Sequence, residues 1–161
     1  MLKEQIMNVI PALQEEEDPR VTAFTVERDD FVQAIMDLAN KCKYDALLDL
    51  CAVEYPDDMV GVYNLMNLED MDMIRVSVHI PKDDLWLPSL DSVFKAAYIL
   101  ERESYDLMGV EYKGHPDLRR IFLADDFVGH PLRKDYETHV RKYGKGENDE
   151  YLRKTRSLCK L

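Results

Sequence analysis

Residues 101–136 read ERESYDLMGVEYKGHPDLRRIFLADDFVGHPLRKDY, and the reading of this stretch decides the architecture. Up to Gly109 it continues a helical pattern. Beyond that glycine it follows neither a helical nor an alternating apolar repeat. It carries two Gly-His-Pro triplets, Gly114-His115-Pro116 and Gly129-His130-Pro131, the pair Arg119-Arg120 and the run Arg133-Lys134-Asp135. A structureless run of this length in a compact domain is functional or is ordered by a partner. Its charges must find partners inside the fold or on another protein.

Upstream of this stretch the pattern is regular. LKEQIMNVIPAL reads as a short helix ended or kinked at Pro11. Residues 14–18 form an acidic loop, and Val21 to Val26 reads as a strand rich in β-formers. Phe31, Ala34, Ile35, Leu38 and Ala39 recur at helical spacing within 29–42. Three strands follow, at 46–53, 60–68 and 73–80, with turns at 56–58 and 69–72. Residues 81–88 form a loop around Trp86, the only tryptophan. Ser89 is placed as the N-cap of a helix that runs to Met108 and stops at Gly109. The order β-α-β-β-β-α predicts an α+β fold. Its sheet is mostly antiparallel or mixed, with about four strands and helices on one face. A long irregular C-terminal segment follows.

The composition sets outer limits. At 161 residues and 46% hydrophobic, the chain reads as one domain with one core. No apolar run reaches bilayer length, and the N-terminal stretch meets acid where a signal peptide has its cleavage site. The expectation is a soluble, intracellular protein. Cys42, Cys51 and Cys159 are too few and too widely spaced for a disulfide framework or a metal cluster. The net charge of −11 is uneven, because residues 131–161 hold nine basic and five acidic side chains. An acidic body repels phosphate backbones, so nucleic acid is not an expected partner. The basic end points to docking on something acidic, or on the chain's own body.

One carboxylate stands out. On a helical wheel Phe94, Ala97, Tyr98, Tyr105 and Met108 share a face, and Glu101 falls at its centre. Arg102, Glu103 and Asp106 fall outside it, and Arg102 with Asp106 reads as a surface i,i+4 pair. A buried lone carboxylate must be protonated, paired, or placed at an interface that supplies a cation. Arg119, Arg120 and Arg133 are the nearest supply in sequence. Asp117 and Asp135 bracket the arginines, which suggests salt-bridge networks rather than phosphate binding. His115 and His130 do not fit a zinc spacing, and the proline after each favours a turn. The chain has no P-loop, G-x-G-x-x-G, C-x-x-C or nucleophile elbow.

The run at 101–135 resembles the C subunit of respiratory complex I, the NADH–quinone oxidoreductase. It also resembles the related small subunit of energy-converting membrane-bound nickel–iron hydrogenases. The family signature looks like E-R-E-x-x-D-x-x-G, then G-H-P-x-L-R-R-I, then G-H-P-L-R-K-D. Here it is matched by Glu101-Arg102-Glu103 with Asp106 and Gly109, by Gly114 through Ile121, and by Gly129 through Asp135. Leu48-Asp49-Leu50, Val62 to Leu65, Ile74 to Val76 and Pro88-Ser89 are similar to the family's strands and helix entry, so the resemblance covers roughly residues 21–140. Tyr98-Ile99 and Phe127-Val128 depart from the family's usual Asn-Trp and Trp-Glu, which indicates a divergent branch.

The resemblance implies a non-catalytic subunit that binds no cofactor itself. Iron–sulfur clusters, with nickel–iron or flavin in some branches, would belong to partner chains. Those partners would be a large subunit homologous to the nickel–iron hydrogenase large chain and small iron–sulfur subunits. The complex would lie against the cytoplasmic side of the membrane. Residues 1–140 would form the domain and 141–161 a basic tail. Glu101, Arg102, Glu103, Asp106, His115, Asp117, Arg119, Arg120, His130, Arg133, Lys134 and Asp135 are the expected interface or loop-ordering residues. Two other readings compete. One is a stand-alone enzyme using Glu101 with His115 or His130 as acid and base. The other is a module that binds one assembly partner transiently.

Overall fold

In chain order the elements are α1 (Lys3–Val9), β1 (Gln14–Glu16), β2 (Thr22–Thr25), α2 (Phe31–Cys42) and β3 (Ala46–Glu54). They continue with β4 (Asp58–Asn67), β5 (Asp72–Pro81), β6 (Trp86–Pro88), α3 (Ala97–Met108) and β7 (Glu111–Lys113). This computed structural model describes residues 3–136. The expected basic tail at 141–161, the break at 143–147 and Cys159 lie outside the described residues.

Period-two alternation builds the sheet. In β4, Met59, Tyr63 and Leu65 are buried on one face, and Ile74, Val76, Val78 and Ile80 of β5 line up beside them. β3, β4 and β5 form an antiparallel meander, and the five strands run in the order β1-β2-β5-β4-β3. β2 runs parallel to β5, which makes the sheet mixed. Helical periodicity supplies the second layer. Phe31, Ala34, Ile35, Leu38 and Cys42 form the buried stripe of α2, and Phe31 packs on Tyr63 with ring centroids 4.7 Å apart. Ile6 from α1 and Ala97 and Met108 from α3 join the same cluster, so the helices share one face of the sheet. No helix among the described residues is long and apolar enough to cross a membrane.

The elements differ from the sequence reading at four places, one of them β7, which lies inside the run expected to be structureless. Residues 14–16, expected as acidic loop, pair with β2 as an antiparallel edge strand. Charged side chains suit a sheet edge, so composition hid the strand. Residues 81–88, also expected as loop, contain β6, which pairs in parallel with β7. Strands of three residues are too short to display a period. The last helix begins at Ala97 rather than after Ser89, and residues 89–96 are mostly turn. Ser89 does not cap it. Its Oγ instead accepts the Asp91 N–H and donates to Glu101.

β6 and β7 flank α3 in sequence and pair with each other, so both ends of the helix are tied together. Gly109 ends the helix at φ +79°, with its N–H on the Tyr105 carbonyl. The chain then turns back across the side of α3 that faces away from the sheet.

Candidate functional site

Helix α3 is buried on two sides. Ala97, Glu101, Ser104 and Met108, at spacings of three and four, form the stripe on the core side. Arg102 and Asp106 occupy a second stripe and are buried as well, because residues 117–132 lie over them. The wheel placed both residues outside the apolar face, and there the structure agrees. They are not the surface ion pair expected from that placement. Each reaches separately into the irregular segment.

Asp106 is fully enclosed. Its Oδ2 accepts the backbone N–H groups of Ile121, Phe122 and Leu123 at 3.0, 2.8 and 3.0 Å. Its Oδ1 accepts Nη1 of Arg120 at 2.7 Å. Three successive N–H groups on one oxygen make a concave anion seat, here filled by the chain's own carboxylate. Burial pushes the Asp106 carboxyl up, but those N–H groups and the Arg120 guanidinium outweigh it and bring the pKa down to about 2. Arg120 uses a second nitrogen, Nη2, on the Gly129 carbonyl at 3.1 Å, so one side chain ties both halves of the loop.

Arg102 donates from Nε to the Arg119 carbonyl and from Nη2 to the Arg120 carbonyl, both at 3.1 Å. The fork of the guanidinium matches two neighbouring carbonyls, which an ammonium group cannot do. His130 lies against the Asp106 carbonyl through Nδ1 at 3.0 Å. A carbonyl only accepts, so Nδ1 carries the proton. The His130 ring also explains Gly109, since a Cβ there would sit 2.6 Å from His130 Cδ2.

His115 bridges two backbone groups. Its Nε2 meets the Tyr98 carbonyl at 3.0 Å and its Nδ1 meets the Asp117 N–H at 3.0 Å. The first partner only accepts and the second only donates, which fixes a neutral ring with its proton on Nε2. Asp117 accepts the Tyr98 hydroxyl at 2.9 Å and Nε of Arg119 at 2.9 Å. The Arg119 bond, then the Tyr98 bond, hold its carboxyl below the usual carboxylate range. Arg119 itself is exposed.

Glu101 departs from expectation. It is fully buried but pairs with no arginine among the described residues. Ser89 Oγ–H donates to its Oε2 and the Leu90 N–H to its Oε1, both at 2.6 Å. Burial pushes its carboxyl up, and those two donors only partly offset that. The arginines near it in sequence are spent elsewhere, Arg120 on Asp106 and Arg133 on Asp135 at 3.2 Å. The backbone supplies what a cation was expected to supply, because the turn at 89–91 brings an N–H and a hydroxyl to the carboxylate.

Glu103 makes no hydrogen bond or ion pair among the described residues and borders a small cavity with Cys51 and Leu132. The Lys134 side chain is exposed, and its backbone N–H donates to Glu54 Oε2 at 2.6 Å. Sequence reasoning missed Glu54. It is buried at the end of β3 and also accepts Lys82 Nζ at 3.0 Å. The alternation of β3 points it inward, and an inward acid beside a turn was the available signal. Tyr98 and Ser89 were also missed as anchors, and no local pattern marks either one.

Comparison with known proteins follows the same residues. Residues 24–142 match the family described as respiratory-chain NADH dehydrogenase, 30 Kd subunit. The chain belongs to that family. It is 42% identical over 135 residues to the NADH-quinone oxidoreductase C subunit of Moorella thermoacetica, covering 83% of this chain and 91% of that relative. The corresponding protein of Geobacter metallireducens is 45% identical over 117 residues, covering 70% of this chain and 72% of the relative. Among solved structures, a trypsin-resistant fragment of Nqo5 aligns with TM-score 0.61 at 26% identity, over 71% of this chain and 95% of the fragment. A chain of the membrane-bound sulfane sulfur reductase, an archaeal respiratory membrane complex, aligns with TM-score 0.76 over 87% of this chain and 88% of its own length. At 24% identity that second likeness establishes the fold.

Proposed function

We propose that this chain is a non-catalytic subunit of a membrane-associated, energy-converting oxidoreductase, and that residues 115–136 are the part that grips its neighbours. The oxidoreductase is of the NADH–quinone type named for its relatives. The observation that carries the reading is how the loop uses its side chains. Its anchoring charges turn inward onto α3, whereas Phe122, Val128 and Leu132 are 62%, 85% and 60% exposed. An ordered segment that spends its polar groups on itself and presents apolar side chains outward fits a protein partner. The partners are the large subunit related to the nickel–iron hydrogenase large chain and the small iron–sulfur subunits. The clusters, and any flavin or nickel–iron centre, reside in those chains. This subunit sits peripherally on the cytoplasmic side of the membrane.

The acid–base reading has less behind it. Glu101 is sealed from solvent, and both ring nitrogens of His115 are already engaged. The test is Arg120→Ala in the producing organism. The yield of complex containing this chain is expected to fall, while turnover per assembled complex stays at the native value. Normal assembly with lost turnover would reject the proposal.

A further inference from the structure

The helices cover one face of the sheet, and the opposite face forms an open trough of about 710 Å³. Its floor includes Cys51, Val60 and Val62. Val60 is 5% exposed although none of the described helices lies over it. The rim is acidic. Asp18 takes Arg75 at 2.8 Å, so that guanidinium is already paired, and Asp58 makes a hydrogen bond with the His79 ring. Glu16, Asp49 and Asp57 have no cationic partner among the described residues. Asp49 has only a long contact with Asn64 Nδ2 at 3.5 Å. Oε2 of Glu16 is buried and accepts no hydrogen bond.

We propose that this trough is a second docking surface, and that its occupant is a lysine- or arginine-bearing segment of a neighbouring subunit. Such side chains lay an aliphatic stem on an apolar floor and bring the charged head to a carboxylate rim. Asp49 and Asp57, on the rim, receive those heads. The chain's own basic end is the other source of cations, but the last described residues before it, Lys134 to Tyr136, lie on the opposite side of the sheet. The Lys134 N–H is bonded to Glu54, which points to the helix-covered face of β3, and Tyr136 stacks on Phe127 there. Val53 and Tyr55, its neighbours in β3 and the following turn, point into the trough.

The inference rests on the chain being a subunit of a larger complex, and the test separates the two. The full chain carrying Cys159→Ser keeps Cys51 on the trough floor and Cys42 in the core. Fluorescein maleimide is reacted with the free chain and with the purified complex. Labelling of Cys51 is expected to be about tenfold or more slower in the complex, because an interface core excludes reagent as it excludes water. With p-benzoyl-phenylalanine in place of Val53, photocrosslinking is expected to capture a Lys- or Arg-containing peptide of another subunit. Asp49→Asn with Asp57→Asn is expected to lower that crosslink yield several-fold.

Equal labelling of Cys51 in a complex that retains the chain overturns the docking surface alone. So does a crosslink to residues 137–161, or to a peptide without a basic residue. Failure of the chain to copurify with any complex overturns the subunit reading, and this inference with it.

Discussion

Arg120 and Asp106 meet at 2.7 Å beneath the irregular segment, and the carboxylate in this pair has no solvent exposure. Arg119, one residue earlier, pairs with Asp117 at 2.9 Å in the open. Adjacent arginines of the same motif therefore do unequal work. Removing one partner of a buried pair strands the other charge, whereas an exposed pair is screened by water and salt. Arg120→Ala is expected to cost about 3 kcal/mol. Arg119→Ala is expected to leave the melting temperature unchanged. Thermal unfolding of the two variants side by side checks this, and equal losses would contradict it.

Acid stability should report Asp106. Its folded pKa is about 2, below the ordinary 3.8. The unfolded chain therefore binds the proton first, and the contribution is present above 3.8. It is lost as pH falls through 2. This group supplies about 2 kcal/mol at neutral pH by linkage. Urea titrations of the native chain and Asp106→Asn should differ by roughly that amount at pH 7 and converge near pH 2. A gap that persists at pH 2 would show that Asp106 acts through shape rather than charge.

Glu101 carries the opposite sign. Burial raises its pKa above the ordinary 4.5, so ionisation costs more in the folded chain than in the unfolded one. Its contribution is most favourable below 4.5 and declines as pH rises through the folded value. Glu101→Gln keeps an acceptor for the Leu90 N–H and should flatten that decline with little loss at pH 7. Glu101→Ala leaves that N–H and the Ser89 hydroxyl without an acceptor and should cost about 2 kcal/mol. Melting temperature against pH for the three proteins separates the cases.

Gly109 and Gly114 share a left-handed backbone, at φ +79° and +90°. Only at Gly109 would a Cβ strike another group, the His130 ring at 2.6 Å, whereas at Gly114 nothing lies within 4 Å. Gly114→Ala is expected to cost about 1 kcal/mol of backbone strain. Gly109→Ala should cost distinctly more and loosen the loop around His130. Limited proteolysis between residues 120 and 132 reads the second effect.

Arg102→Lys tests geometry at constant charge. An ammonium group cannot serve the Arg119 and Arg120 carbonyls as the guanidinium fork does. Amide exchange at residues 119–123 should accelerate although net charge is unchanged. Native protection in this variant would mean that the Asp106 seat suffices alone.

Much of this protein is legible in its residue order. Alternation over Asp58–Asn67 and Asp72–Pro81, and the stripe Phe31, Ala34, Ile35, Leu38, exposed the central strands and α2 because burial on one face imposes a period. The motif residues from Glu101 to Asp135 also marked the family. Less legible were Gln14–Glu16 and Trp86–Pro88, where pairing with a distant strand makes a strand out of residues with no period of their own.

The residue order fixed which side chains of α3 point to the core and which do not. Only the tertiary structure decided that the second set is buried too, because a segment without periodicity folds back over it. It likewise decided that Glu101 takes a backbone N–H and a hydroxyl instead of a guanidinium, and that Arg120 goes to Asp106. Angular position on a helix is a local property, set by 3.6 residues per turn. Which donor reaches a carboxylate depends on where residues distant in sequence come to rest, and no local period encodes that.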